Sequence, residues 1–513
     1  MKPKTQTVLI LAFIILAAAI VWYSYYSLTF VALAYNDSMD YASIARNVAD
    51  GEGFVSSYIT PLGLAHKGVP HPDLWRAPLW PAAIALFIKI FGAIDQAVAF
   101  ASGFFYLAAV PLIFLLARQL FGNPTALSTA LIYMFSAQNL HFSTSGLTEP
   151  MALLMLTAII FIMYIPFFKS PPGDFLLGLA AGLFYLARYN ALLFIPVIAL
   201  VWCALRRPAG LIAGVRLGAA FSLTVMPWMW RNYVLMGNPL FSLQKYEPVM
   251  FTQTYPGYTL YTMFEKVNVT GFIMSHSAEM WIKVGQNWQD FTHNLFAPTF
   301  TGVYAVLFVL FLLSLFLPFD EKQRYLRPLL LVCFGLQLAA LMVIHYIPRL
   351  FFMFTPFYIM YGMAAVNYLA GLISKKRSIT LISMGLLTAL FIITNLPVWN
   401  EPNVDKPLIR DYSASVKKIT LLAKKSDLIL SNDGHILAWY GNRYAAKLPY
   451  RTDMLPELER LVPVKMIFLS GRMSWNMPEA DESWRKVFWG KPQQLYGFRL
   501  LERFEDGSLL YVR

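Results

Sequence analysis

Between residues 8 and 397 one long apolar run follows another, with only short polar joints between most of them. A crossing of the bilayer core takes about 20 apolar residues, so this material suffices for about eleven spans. Lipid offers no partner for backbone N–H and C=O groups, so such runs must be helical or close into a barrel. Runs of this length without alternation read as helices. The chain is 58% hydrophobic with only 13% charged residues, against about a quarter charged in soluble domains. It therefore reads as a polytopic membrane protein.

The formal net charge of +13 raises nucleic acid as a partner. The distribution argues against it: basic clusters at Arg118, Lys169, Arg206–Arg207, Lys322–Arg327 and Lys375–Arg377 sit at the ends of apolar runs, where they orient membrane helices. No Walker loop and no dinucleotide glycine fingerprint is present. Cys203 and Cys333 both fall inside apolar runs, so no disulfide framework is expected. The first run, Val8 to about Phe30, follows "MKPK" and is longer than a signal peptide's apolar region. It reads as an uncleaved signal anchor with its N-terminus in the cytoplasm.

Placing every basic cluster inside gives one path. Span 1 leads to an outer loop, 31–94, within which "APLWPAAIALFIKIFG" (77–92) reads as an interfacial or re-entrant helix. Further spans are expected near 95–118, 124–143, 148–168, 174–189, 190–205, 211–231, 301–318, 327–346, 350–373 and 378–397, with a second outer loop at 235–300. That loop is rich in Tyr, Phe, Trp, Pro and Gly, as segments at a membrane interface are, and it is a candidate lid. Residues 1–400 thus form an all-α membrane domain of about 11 to 13 transmembrane helices. Residues 401–513 change character: "DLILSN" and "VKMIFLS" read as short buried strands, "HILAWYG" and "MLPELERLV" as helices, and "RLLERFEDGSLLYVR" as a hairpin around Asp506-Gly507. They make a small extracytoplasmic α/β domain of ordinary size.

Only 28 of the 513 residues are acidic, yet "AYNDSMDYASIARNVADGEGF" (34–54) places Asp37, Asp40, Asp50 and Glu52 directly after the first apolar run. A helix over 38–49 is expected, capped by Asn36 or Asp37 and ended at Asp50-Gly51. Tyr41, Ile44, Ala45 and Val48 share one face, which would lay this helix along the outer membrane surface. Asp37, Asp40 and Tyr41 share a side. Asp37 has two readings: a cap, or a base at the membrane interface. The second needs cations on the same side. His71, Arg76, His141, Arg188, Arg231, His345 and Arg349 supply them, each in an outer loop or ending an apolar run on the outer side. Each arginine alone is explained by snorkelling to headgroups; several together point to a phosphate-bearing ligand, which the guanidinium fork matches. Lys245 and Glu247 read as solvated, and Asp433 and His435 as turn and cap residues. No His/Cys/Asp cluster has metal-ligand spacing; Asp37, Asp40 and Glu149 could hold a divalent cation.

The ordered set "NDSMDYASIA", "WRAPLWP…IFG", "LTEP", "PWMWRNYVLMGNPLF" and "RLFFMFTP" resembles the GT-C superfamily of membrane glycosyltransferases, in particular the protein O-mannosyltransferase and lipid A aminoarabinose transferase group. The resemblance covers most of 30–400. It implies transfer of a sugar from a polyprenyl-phosphate donor to an acceptor hydroxyl on a glycan, lipid or protein, outside the cytoplasm and with inversion. It implies a catalytic acid at Asp37 with Tyr41 four positions on, an acid at Glu149, and basic contacts at Arg76, Arg188 and Arg349. Asp40 stands in where relatives carry a second acid at the position of Ser38. Relatives differ in their use of a divalent ion. Rival readings are a lipid-linked sugar flippase and an O-antigen ligase or polymerase-type enzyme; neither accounts for an acidic helix in the first outer loop.

Overall fold

The computed structural model describes residues 3–297, 305–319, 323–396, 399, 403, 415–471 and 481–513. The junction expected near 400 and the start of the span expected at 301–318 lie outside the described residues. Six described helices are long and apolar enough to cross a bilayer: Thr7–Thr29, Asp95–Phe121, Gly210–Met236, Leu326–Val343, Pro348–Ile373 and Arg377–Asn395. The chain is a multi-pass membrane protein. Four shorter apolar helices, Leu79–Phe91, Pro171–Ala187, Ile195–Leu205 and Ala305–Ser314, stand where the re-entrant segment and further spans were expected.

The span expected at 124–143 is broken. The helix Asn123–Phe135 stops, and Ser136 caps a short helix, Ala137–Thr144, by accepting from the Asn139 N–H. That helix and Glu149–Tyr164 meet at 113°. The corner turns on Gly146, whose φ is +75° and at which a Cβ would lie 2.8 Å from Val98 Cγ1; only glycine fits both conditions. The corner places Glu149 in the first turn of its helix, where the helix dipole favours a carboxylate.

After the first span, α1 (Pro3–Thr29), three helices of the first loop matter: α2 (Asn36–Ala49), α3 (Pro61–His66) and α4 (Leu79–Phe91). The 13 residues of α4 reach roughly 20 Å, short of a full crossing. The sequence pattern suggested that α2 lies open on the membrane surface. Instead it is sandwiched between α4 and the helix Gly434–Trp439, with Met39, Ala42, Ile44 and Ala45 all buried. The apolar stripe found a protein partner on both sides rather than lipid.

The C-terminal region is a seven-stranded mixed sheet. With β1 Val55–Ser56, β2 Tyr58–Ile59, β3 His71–Pro72, β4 Leu428–Ser431, β5 Tyr444–Lys447, β6 Val464–Leu469, β7 Gln494–Leu495, β8 Phe498–Arg503 and β9 Leu509–Val512, its order is β2-β5-β4-β6-β9-β8-β7. The expected strands, both helices and the hairpin are all present. The edge strand β2 is not C-terminal at all. It comes from the first loop and pairs parallel with β5, Tyr58 opposite Ala445, so the sheet is stitched into the membrane domain.

Candidate functional site

Tyr35, in extended conformation, precedes the first turn of α2 and makes no side-chain cap. The expected cap role of Asn36 or Asp37 is thus corrected: Asp37 lies inside the first turn and its carboxylate is drawn to arginines. Arg76 Nη2 donates to Asp37 Oδ1 at 2.8 Å, and Arg76 Nε donates to Asp40 Oδ2 at 2.7 Å. Arg349 Nη2 donates to Asp37 Oδ2. Arg349 Nε also lies 3.8 Å from Glu149 Oε1, which accepts from Arg188 Nη2 at 3.0 Å. The Arg76 guanidinium sits 4.8 Å above the Tyr41 ring. Three carboxylates and three guanidinium groups therefore form one connected network, gathered from α2, the first loop, the 113° corner, the end of Pro171–Ala187 and the start of Pro348–Ile373.

Local structure explains why these groups meet. Asp73 accepts from the backbone N–H groups of Trp75 and Arg76, a turn that aims Arg76 back toward α2. Tyr189 donates to the Arg76 carbonyl at 3.0 Å and accepts from Trp228 Nε1 at 2.9 Å. Ser38 donates to the Ser145 carbonyl at 2.5 Å and packs against Gly146. A longer side chain would collide with the corner.

Burial works against the Asp37 carboxylate, but Arg76 and Arg349 outweigh it and hold its pKa well below the usual carboxylate range. Asp40 moves the other way: burial raises its pKa, only partly opposed by Arg76. Arg76 loses proton affinity to burial and regains more from Asp37 and Asp40, ending above the ordinary arginine value. Asp73 is pushed up to about 7 by burial and by the nearby Asp40 charge.

Three expected binding residues stand outside the ion-paired network. His71 Nδ1 lies 2.9 Å from the Lys67 carbonyl. Arg231 donates to the Phe54 carbonyl at 3.3 Å and stacks 4.4 Å above the Trp228 ring. His345 pairs with the Tyr258 hydroxyl at 2.8 Å and stacks on Phe251. The candidate cation set Asp37, Asp40 and Glu149 is held by guanidinium groups, and among the described residues no three His, Cys, Asp or Glu side chains converge as metal ligands.

Sequence reasoning missed several neighbours. Lys245 is exposed as expected, but Glu247 is not solvated: it is half-buried, accepts from Tyr261 Oη at 3.3 Å, and burial pushes it up to about 7. The loop holding it is pinned by Lys283, which is buried and donates to the Pro248 carbonyl at 2.9 Å. Asp433 precedes its helix but makes no side-chain cap; it accepts from Ser470 Oγ. His435 stacks on Tyr58 with centroids 3.5 Å apart and lies within electrostatic reach of Asp37 and Arg76. Tyr35 Oη lies 2.6 Å from His141 Nε2. No motif marks these contacts, because each joins distant parts of the chain.

The family model described as dolichyl-phosphate-mannose-protein mannosyltransferase matches residues 71–230. That stretch holds Arg76, Glu149 and Arg188 and leaves Asp37 and Arg349 outside. No curated protein matches the chain in sequence. Among solved structures, ArnT from Cupriavidus metallidurans bound to undecaprenyl phosphate is similar at TM-score 0.57 and 12% identity, covering 98% of this chain and 97% of that one. The oligosaccharyltransferase AglB from Archaeoglobus fulgidus, in complex with an inhibitory peptide and a dolichol-phosphate, is similar at TM-score 0.57 and 14% identity, covering 92% of this chain and 70% of that one. The fold is the GT-C fold, and the comparisons bear out the resemblance read from the sequence.

Proposed function

We propose, from a GT-C fold with a three-arginine, three-carboxylate network beside α2, that the chain is a membrane glycosyltransferase. It moves a sugar from a polyprenyl-phosphate donor to an acceptor hydroxyl at the extracytoplasmic face. The observation that carries this reading is the pairing of Asp37 with both Arg76 and Arg349. ArnT and AglB, its structural neighbours, were captured with a polyprenyl phosphate and a dolichol-phosphate.

The chemistry asks for two things. The phosphate must be stabilised as it leaves, and guanidinium groups fixed in advance do this without reorganisation. The acceptor hydroxyl must lose its proton as it attacks, and a carboxylate within hydrogen-bond reach takes it. Arg76, Arg349 and Arg188 serve the first need and Asp37 the second, with Asp40 and Glu149 holding the arginines and Tyr41 backing Arg76. One displacement from the face opposite the phosphate inverts the anomeric carbon. The donor's tail has a fitting neighbour: Phe354, in the segment that carries Arg349, lines a largely apolar pocket with Phe291, Phe308, Phe334 and Tyr358.

The deciding experiment incubates the purified chain in lipid with a panel of polyprenyl-phosphate-linked sugars and follows release of the carrier phosphate. Release with sugar transfer is expected. Translocation of the lipid with its sugar still attached would mean a flippase.

A further inference from the structure

The two ends of the ionic network differ in exposure. The Asp40 and Glu149 side chains are 3% and 1% exposed, whereas those of Asp37 and Arg349 are 29% and 31% exposed. Each of the two clamping arginines thus also lies beside a deeply buried carboxylate: Asp40 for Arg76 at 2.7 Å, and for Arg349 at 3.8 Å Glu149, which it shares with Arg188. They share a third, Asp37, which is the most exposed of the three acids and occupies one nitrogen of each guanidinium. With all three acids ionised, three carboxylates balance Arg76, Arg188 and Arg349, and no surplus charge remains for a phosphate. A base whose two oxygens are both held by arginine is also a weak one, because proton transfer in the transition state follows basicity.

We propose that Asp37 is an exchangeable counter-ion: it occupies Arg76 and Arg349 until the donor's phosphate takes its place, and only this exchange frees it to act as base. This rests on the glycosyl-transfer reading above. Asp40 and Glu149 keep both arginines in position while the exchange takes place, so neither guanidinium is left without a carboxylate when Asp37 lets go. The charges then close through the reaction. The acceptor oxygen forms a bond to the anomeric carbon. The bond from that carbon to the phosphate oxygen breaks, and its electron pair leaves with the phosphate, which gains one negative charge. The acceptor proton goes to Asp37, which loses one. The network becomes positive by one charge as the leaving group becomes more negative by one, so product phosphate is held most strongly while Asp37 is protonated. Transfer of that proton to water restores the carboxylate, which competes again for the arginines and expels the product. The donor class this fits is a lipid-linked phosphodiester, and the same carboxylate serves in binding, chemistry and release.

The test is a binding measurement on the full chain in nanodiscs, with undecaprenyl phosphate as the probe and undecaprenol, which lacks the phosphate, as the control. Asp37→Asn removes the competing charge and is expected to bind undecaprenyl phosphate about tenfold more tightly than the parent chain, with undecaprenol bound alike by both. Asp37→Ala is expected to do the same and serves where the Asn variant is not recovered folded. Asp40→Asn, which removes a buried anchor, is expected to weaken binding instead. Equal or weaker phosphate binding by folded Asp37 variants would overturn the exchange while leaving a glycosyltransferase reading in place. Failure of parent and variants alike to bind any polyprenyl phosphate over polyprenol would overturn that reading as well.

Discussion

Arg46 donates to the main-chain carbonyl of Trp439 at 2.7 Å, and with its other terminal nitrogen to the carbonyl of Ala438, also at 2.7 Å. Arg46 belongs to α2, the helix whose first turn holds Asp37, and Trp439 ends the helix Gly434–Trp439 of the C-terminal region. A cation at the carbonyl end of a helix is favoured by the helix dipole. Trp439 in turn donates to Asp95 at 2.6 Å, at the start of Asp95–Phe121. The C-terminal region is therefore bolted to the helix that carries the proposed base. Arg46→Met keeps the length and loses both bonds. It is expected to lower stability by about 2–4 kcal/mol, read as an earlier thermal unfolding of the purified chain; an unshifted transition would show that the bolt contributes nothing.

Gly434 lets the Tyr58 ring come close. A Cβ there would lie 2.9 Å from Tyr58 Cδ2, so Gly434→Ala must push the ring away and strain the pairing of β2 with β5. A loss of about 1–3 kcal/mol is expected. Hydrogen exchange at 58–59 and 445–446 should rise together, because these residues are register partners; a rise confined to one strand would count against the stitching role of β2.

Glu149 is 1% exposed and lies between Arg188 and Arg349. Glu149→Gln leaves a buried guanidinium without its counter-ion, which costs about 3–5 kcal/mol. Glu149→Gln combined with Arg188→Met is expected to recover part of that loss, since the unpaired charge goes as well. A double variant no more stable than the single one would mean that the pair is not coupled.

Asp73 titrates in a useful range. Burial and the Asp40 charge raise its pKa from 3.8 to about 7. The folded state therefore binds the proton more tightly than the unfolded chain, and the resulting stability is present below 3.8 and is lost as pH rises toward about 7. Asp73→Asn keeps an acceptor for the Trp75 and Arg76 N–H groups and cannot ionise. Its unfolding temperature relative to the parent should climb between pH 4 and pH 7.5. A difference that stays flat across that interval would exclude Asp73 as the cause.

The hairpin around Asp506-Gly507 was legible because its signals are local: a turn dipeptide between two apolar stretches, which form β8 and β9 with Leu500 opposite Tyr511. β5 was not, since "YAAK" carries no alternation, and its partner β2 is two residues long and comes from the other end of the chain. The long apolar runs were likewise legible, while the corner at Gly146 was not: nothing in "STSGLTEP" shows that Val98 and Ser38 crowd that glycine. For the site, Asp37, Asp40, Glu149, Arg76, Arg188 and Arg349 were all named from the sequence, yet so were His71, Arg231 and His345, which the folded chain holds in other contacts.

By itself, then, the sequence determined that this chain crosses a membrane many times, ends in a small α/β layer, and places acids and arginines at the ends of its apolar runs. Hydropathy and periodicity are properties of neighbouring residues, so they survive without knowledge of the fold. Which acid meets which arginine was decided only by the tertiary structure. Coulomb attraction falls with distance through space, and Arg349 reaches Asp37 across 312 positions of chain, a separation that no local pattern encodes.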